Sequence, residues 1–209
     1  MKKQIEVEFI GNLTKERFNE LKEFFNENGK FKEEKDRFQL VYFRDKIPKD
    51  LREIKDEKVD LKLRVTNKKV ELILKYGLFT ASHARKEISI RLNNKDFENC
   101  IEILNYLNWS NAVIDATKTY VYNYKNIEFS LVETKEYGYN FEAEILTNKN
   151  NVDDAKKKIM PILKELSLRP FTQDEIFDWC NKMNNDKKLM FNFNKDPIEE
   201  IREKYKEFF

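Results

Sequence analysis

Residues Ile5-Glu6-Val7-Glu8-Phe9 alternate apolar and acidic side chains. Strand side chains alternate between faces, so the pattern predicts a strand over residues 4–10 with Ile5, Val7 and Phe9 on one side and Glu6 and Glu8 on the other. The same period returns at Tyr139–Leu146, where Phe141, Ala143 and Ile145 oppose Glu142 and Glu144. Between them lie further period-two stretches. Arg37–Phe43 is rich in aromatic and branched residues. In Asp60–Val65, Leu61, Leu63 and Val65 oppose Asp60, Lys62 and Arg64. Asn67-Lys68 then marks a turn, after which Val70, Leu72 and Leu74 oppose Lys69, Glu71, Ile73 and Lys75, which completes a hairpin. Strands are predicted at about 84–92, 113–124 and 127–132, and Gly138 supplies the turn before the last one.

Helical spacing appears at four places. Phe18, Leu21, Phe24 and Phe25 follow the N-cap candidate Thr14 and stop near Gly29. Phe97, Ile101, Leu104 and Leu107 follow Asn94 or Asp96. Ile159, Leu163 and Leu166 follow Asp153 or Asp154. Ile176, Trp179 and Cys180 follow Thr172. A last short helix opens at Pro197 and runs to Phe209. Strands first and helices last predict an α+β fold. Residues 1–148 form the strand-rich part with two covering helices, and 149–209 form a helical C-terminal extension packed on it in the same domain.

Charge adds a choice between two architectures. Lys62, Arg64, Lys75, Arg85, Arg91 and Lys118 all stand opposite apolar rows, as do Glu6, Glu8, Glu71, Glu87, Glu142 and Glu144. On a flat sheet this face meets water. On a sheet closed into a barrel with its helices outside, it becomes a lining. A lining dense in both signs is costly to desolvate without a ligand. Four acids brought together repel one another unless a cation lies between them, most simply a divalent metal.

Composition narrows the partners. The 209 residues are 40% hydrophobic and 37% charged, with net charge +2. A global electrostatic footprint for nucleic acid is absent, so any basic site is local. Cys100 and Cys180 sit in apolar helical patterns and read as buried thiols of a reducing compartment, without zinc-ligand spacing. No signal-like or membrane-length apolar run is seen, so a cytoplasmic protein is expected. His83 reads as a loop residue of no special role, and Trp109 and Trp179 as core anchors. Tyr120, Tyr122 and Tyr124 share a face with Lys118 and either line a ligand pocket or pack.

These motifs together resemble the CYTH superfamily, the triphosphate tunnel metalloenzymes. Ile5-Glu6-Val7-Glu8 matches the start of its ExExK, Leu61-Lys62-Leu63-Arg64 its basic strand, and Glu71-Leu72-Ile73-Leu74-Lys75-Tyr76-Gly77 the strand after it. Arg85-Lys86-Glu87 fits its RxE, and Gly138-Tyr139-Asn140-Phe141-Glu142-Ala143-Glu144 its closing GxxxExE. The helix ending at Leu104, Leu107, Asn108 and Trp109 also has a counterpart, and the resemblance spans residues 4–180. It implies an eight-stranded antiparallel β-tunnel that binds a small triphosphate-containing molecule with Mg²⁺ or Mn²⁺. Glu6, Glu8, Glu142 and Glu144 would hold metal, and Lys62, Arg64, Lys75, Arg85 and Lys118 the phosphate chain. Glu6, Glu8 and Lys75 would be catalytic. The implied activity is metal-dependent hydrolysis of tripolyphosphate, thiamine triphosphate or a nucleoside triphosphate. The alternatives are a binding-only member of the fold and a class IV adenylyl cyclase. Neither nucleic acid nor membrane is expected as a partner, and the chain is expected as a monomer or homodimer.

The sequence departs from the family pattern at Ile10, where the motif lysine is missing, and at Val132, where an acid is missing. Glu133 is adjacent to Val132 but faces the other way by alternation. The family's KxR is reduced to Lys118-Thr119-Tyr120. These departures predict altered substrate, slower chemistry, or binding without turnover.

Overall fold

The structure is a computed structural model that describes residues 5–80 and 82–209, with Ser82 and His83 described by backbone only. Its strands are β1 (Ile5–Leu13), β2 (Lys30–Phe43), β3 (Val59–Thr66), β4 (Lys69–Tyr76), β5 (Ser82–Leu92), β6 (Asn111–Tyr124), β7 (Ile127–Thr134), β8 (Gly138–Thr147) and β9 (Met190–Asn192). Its helices are α1 (Lys15–Asn28), α2 (Phe97–Tyr106), α3 (Val152–Glu165), α4 (Gln173–Asn184) and α5 (Ile198–Lys204). The strands run in the order β2-β3-β4-β5-β1-β8-β7-β6, and β2 also pairs with β6. That pairing closes an eight-stranded antiparallel barrel with helices packed outside and a helical C-terminal region. Among the described residues, no helix is long and apolar enough to cross a membrane.

The chain divides into two compact units. The first comprises Met1–Lys35, Tyr76–Glu87 and Thr117–Ile176. Its core joins Val7 and Phe9 of β1, Phe129 and Leu131 of β7 and Phe141 of β8 to Phe25 of α1 and Ile159 and Leu163 of α3. Helix α1 starts where expected: the Thr14 hydroxyl accepts a hydrogen bond from the Arg17 N–H at 3.1 Å. Phe25 of that helix stacks on Tyr122, with ring centroids 5.4 Å apart. Gly11 allows β1 to be crossed closely, because a Cβ there would lie 2.4 Å from both the Arg169 carbonyl oxygen and the Phe141 ring.

The second unit comprises Asp36–Lys75, Ile88–Ala116 and Phe177–Phe209. Phe38, Leu40 and Tyr42 of β2 and Leu61, Leu63 and Val65 of β3 pack with Phe97, Ile101 and Leu104 of α2 and Ile201 and Tyr205 near α5. In each unit the apolar strand faces lie under helices. Alternation therefore turns the charged rows to the barrel's inner side.

Three elements differ from the pattern-based expectation. Strand β2 starts at Lys30 rather than Arg37, because Lys30–Asp36 carries no apolar row to betray a strand. Strand β5 starts at Ser82, so the His83 backbone lies in a strand rather than a loop, and its side chain lies outside the described residues. The tail is not purely helical: Met190–Asn192 form β9 and pair with Asn111–Val113 of β6. Three residues are too few for a period to show.

Candidate metal and phosphate site

Glu6 and Glu8 of β1 point to the face opposite Val7 and Phe9, which are fixed in the core. Antiparallel register sets Glu8 opposite Glu144 of β8, and Glu144 opposite Glu128 of β7. Three carboxylates thus form one row across β1, β8 and β7. Carboxylate oxygens of Glu6, Glu8 and Glu144 all lie within 4.8 Å of one another. Glu8 is only 5% exposed. Burial raises the Glu144 carboxyl to about 10, helped by its hydrogen bond with Glu6 and by the charges of Glu6, Glu8 and Glu128. Its close like charges disfavour ionisation of Glu144, which a cation among these oxygens would relieve.

The remaining assignments divide. Glu142 shares the face but sits one row on, opposite Ile10 and Ser130, and is not part of the close trio. Arg85 lies opposite Glu6 in the β1–β5 pairing and is 4% exposed. Its guanidinium is 5.3 Å from the centre of the Phe79 ring. Within the second unit, Lys62 and Arg64 stand opposite the packed Leu61, Leu63 and Val65. Lys62 lies 3.3 Å from Asp60, and the Arg64 Nε–H donates to the Gln39 side-chain oxygen at 3.0 Å. Lys75 is buried, opposite the Leu72 and Leu74 row.

Lys118 does not join the acids. Its alternation partner Tyr120 packs on Phe18 of α1, and Tyr122 and Tyr124 pack on Phe25. The whole row, Lys118 included, therefore lies on the outer, helix-covered side. Its ammonium is 2.6 Å from Glu34 and 5.8 Å from the Tyr120 ring centre. The inner positions of β6 include Thr117, Thr119 and Val121, so the tyrosines are packing residues and not a pocket wall. Val132 pairs with Thr119 and Asn140 on the inner side and is 6% exposed. Glu133 pairs with Lys118 on the outer side and accepts from the Tyr139 hydroxyl at 3.3 Å.

Glu128 and Lys32, charged residues at the acid row, went unassigned in the sequence. Glu128 alternates with Ile127 and Phe129, so the signal for its facing was present. Lys32, whose ammonium is 2.5 Å from the Glu128 carboxylate, lies in the patternless start of β2 and gave no signal. That contact, with the nearby charge of Glu144, raises the Lys32 pKa.

No family model and no curated protein matches the sequence. Solved structures do. A protein of Pyrococcus horikoshii superposes with a TM-score of 0.63 at 20% identity, covering 83% of this chain and 97% of that one. A candidate adenylate cyclase of Vibrio parahaemolyticus gives 0.60 at 12% identity, covering 83% and 93%. The candidate adenylyl cyclase HpAC1 of Hippeastrum, described as having a dominant triphosphatase activity, gives 0.56 at 15% identity, covering 84% and 95%. The chain has the CYTH tunnel fold.

In this CYTH tunnel fold the close trio offers only carboxylate oxygens. Hard cations such as Mg²⁺ and Mn²⁺ prefer that donor set, and soft sulfur or imidazole donors are absent from it. The raised Glu144 carboxyl marks the same place as short of positive charge. Glu6, Glu8 and Glu144 therefore fit a divalent ion.

Proposed function

We propose that the chain hydrolyses a small triphosphate with the help of a divalent cation. The observation that carries this is the trio Glu6, Glu8 and Glu144, gathered on the inner face of a closed barrel of the CYTH tunnel fold. The triphosphatase activity named for one structural neighbour supports the same reading. When bound, Mg²⁺ or Mn²⁺ would supply Lewis acidity toward phosphoryl oxygens. The chain's own groups hold and orient the ligand. Arg85, nearly fully buried and held against Phe79, offers a planar donor fork to a phosphate oxygen. Lys62, Arg64 and Lys75 enter the proposal only through the sequence resemblance, which assigns them to the phosphate chain. Lys118 is left out because of its outward facing. Charge stabilisation by such fixed donors acts most where charge develops on the leaving diphosphate. The free thiols Cys100 and Cys180 suit a reducing compartment such as the cytoplasm.

The test is Mg²⁺- or Mn²⁺-dependent phosphate release from tripolyphosphate and thiamine triphosphate by the wild-type chain and by Glu6→Gln and Glu144→Gln. Loss of a charged group at the reacting centre is expected to lower turnover about a hundredfold or more. Unchanged turnover in both variants would reject the metal assignment. The inward-facing Val132 and the Ile10–Glu142 register favour a second reading, binding without turnover, because apolar side chains occupy positions where charge would serve chemistry. Calorimetric binding of tripolyphosphate with no phosphate release selects it.

A further inference from the structure

Arg64 is not held by its own strand alone. Gln39 lies directly opposite it in the β2–β3 register and is 7% exposed. The Gln39 side chain makes two contacts at once. Its Nε2 donates to Asp115 Oδ2 at 2.6 Å, and its Oε1 accepts the Arg64 Nε–H at 3.0 Å. The contact with Asp115 turns the NH₂ of the amide toward β6. The amide oxygen is then fixed toward Arg64. The other Asp115 oxygen, Oδ1, is buried with no hydrogen-bond partner, which leaves the Gln39 amide as the contact that fixes this carboxylate.

From this chain of contacts we infer that Gln39 and Asp115 are positioning residues for Arg64, setting the plane of its guanidinium for an anionic phosphoryl ligand. The inference rests on the phosphate role proposed for Arg64. Its chemistry is specific. A carboxylate placed directly on the guanidinium would form a charge-assisted pair and compete with phosphate for it. The neutral Gln39 amide fixes Nε without itself adding such a competing charge, and the Asp115 carboxyl that orients the amide lies one side chain away. All three residues lie in the second unit, on the strand faces opposite its apolar core.

Two measurements test it. In ¹H–¹⁵N spectra that resolve arginine Nε–H groups, the wild-type chain is expected to show a slowly exchanging Arg64 signal that Gln39→Met abolishes. Asp115→Asn, which loses the fixed sense of the amide, should speed its exchange and serves if Gln39→Met does not fold. An unaltered Arg64 signal in both variants would overturn the inference. Tripolyphosphate affinity by calorimetry is expected to weaken about tenfold in Gln39→Met, the scale of one hydrogen bond to a charged group. In an Arg64→Ala background the same change should have no further effect, because the two residues act as one unit. Additive losses would mean that Gln39 acts apart from Arg64 and would also overturn it. A wild-type chain that binds no tripolyphosphate would reject the proposed function, and the Nε–H result alone would then decide the orientation.

Discussion

Glu144 shows how much one side chain can be shaped by register. It has Glu8 across one strand boundary and Glu128 across the other, and Glu6 within hydrogen-bonding reach. Its carboxyl, ordinarily near 4.5, is raised to about 10 by burial and by these neighbours. Between those two values the folded chain binds more protons at this site than the unfolded chain does. Stability from this group is therefore fully present below pH about 4.5 and declines as pH rises toward about 10. Glu144→Gln keeps the shape and removes the titration. In metal-free buffer the variant is expected to melt higher than the wild type at pH 8 and to show a flatter dependence of Tm on pH over that window. Parallel Tm–pH curves for the two proteins would show that the acid row is not strained in this way.

At the scale of elements, the hairpins carry a clear local conflict. Asn67 and Lys68 have φ of 47° and 65°, and Lys125 and Asn126 have φ of 51° and 62°. Positive φ at both central positions is the primed two-residue turn that matches strand twist, and the second position favours glycine. A lysine there adopts a left-handed backbone at a cost of roughly 1–2 kcal/mol, partly offset in a glycine variant by chain entropy. Lys68→Gly is expected to stabilise the fold by about 1 kcal/mol, raising Tm by roughly 2–4 °C in a chain of this size. Urea or thermal unfolding measures it, and a lower midpoint would contradict the turn geometry. These hairpin strands were readable because each carries an apolar row, as Leu61-Lys62-Leu63-Arg64-Val65 does. The start of β2 was not, since Lys30–Asp36 is held by its strand neighbours and by Phe31 against Tyr122 rather than by a periodic face. The site followed the same rule. Glu6, Glu8 and Glu144 were legible from alternation within single strands. Glu142's separation from them depended on cross-strand register, and Lys118's outward facing on which side of β6 α1 covers, neither of which a single strand's pattern encodes.

For the whole molecule, the consequence is that the proposed cation site would exist only in the folded chain. Glu144 is far along the chain from Glu6 and Glu8, and the three come within 4.8 Å only once β1 and β8 pair. A ligand that binds the folded chain and not the unfolded one stabilises it by an amount set by its concentration over its dissociation constant, about 2.7 kcal/mol at a hundredfold excess. For a domain of this size that is a shift of roughly 5–10 °C in Tm. MgCl₂ or MnCl₂ at saturating concentration is therefore expected to raise the melting temperature by that order, against NaCl matched for ionic strength, and EDTA to reverse it. Glu8→Gln should abolish the gain. Glu142→Gln should reduce it less, because Glu142 stands one row away. Screening of mixed surface charge would act equally on all these proteins and follow ionic strength rather than ion identity. A shift that NaCl reproduces, or that survives Glu8→Gln undiminished, would remove the divalent ion from the inner face and with it the metal-assisted chemistry.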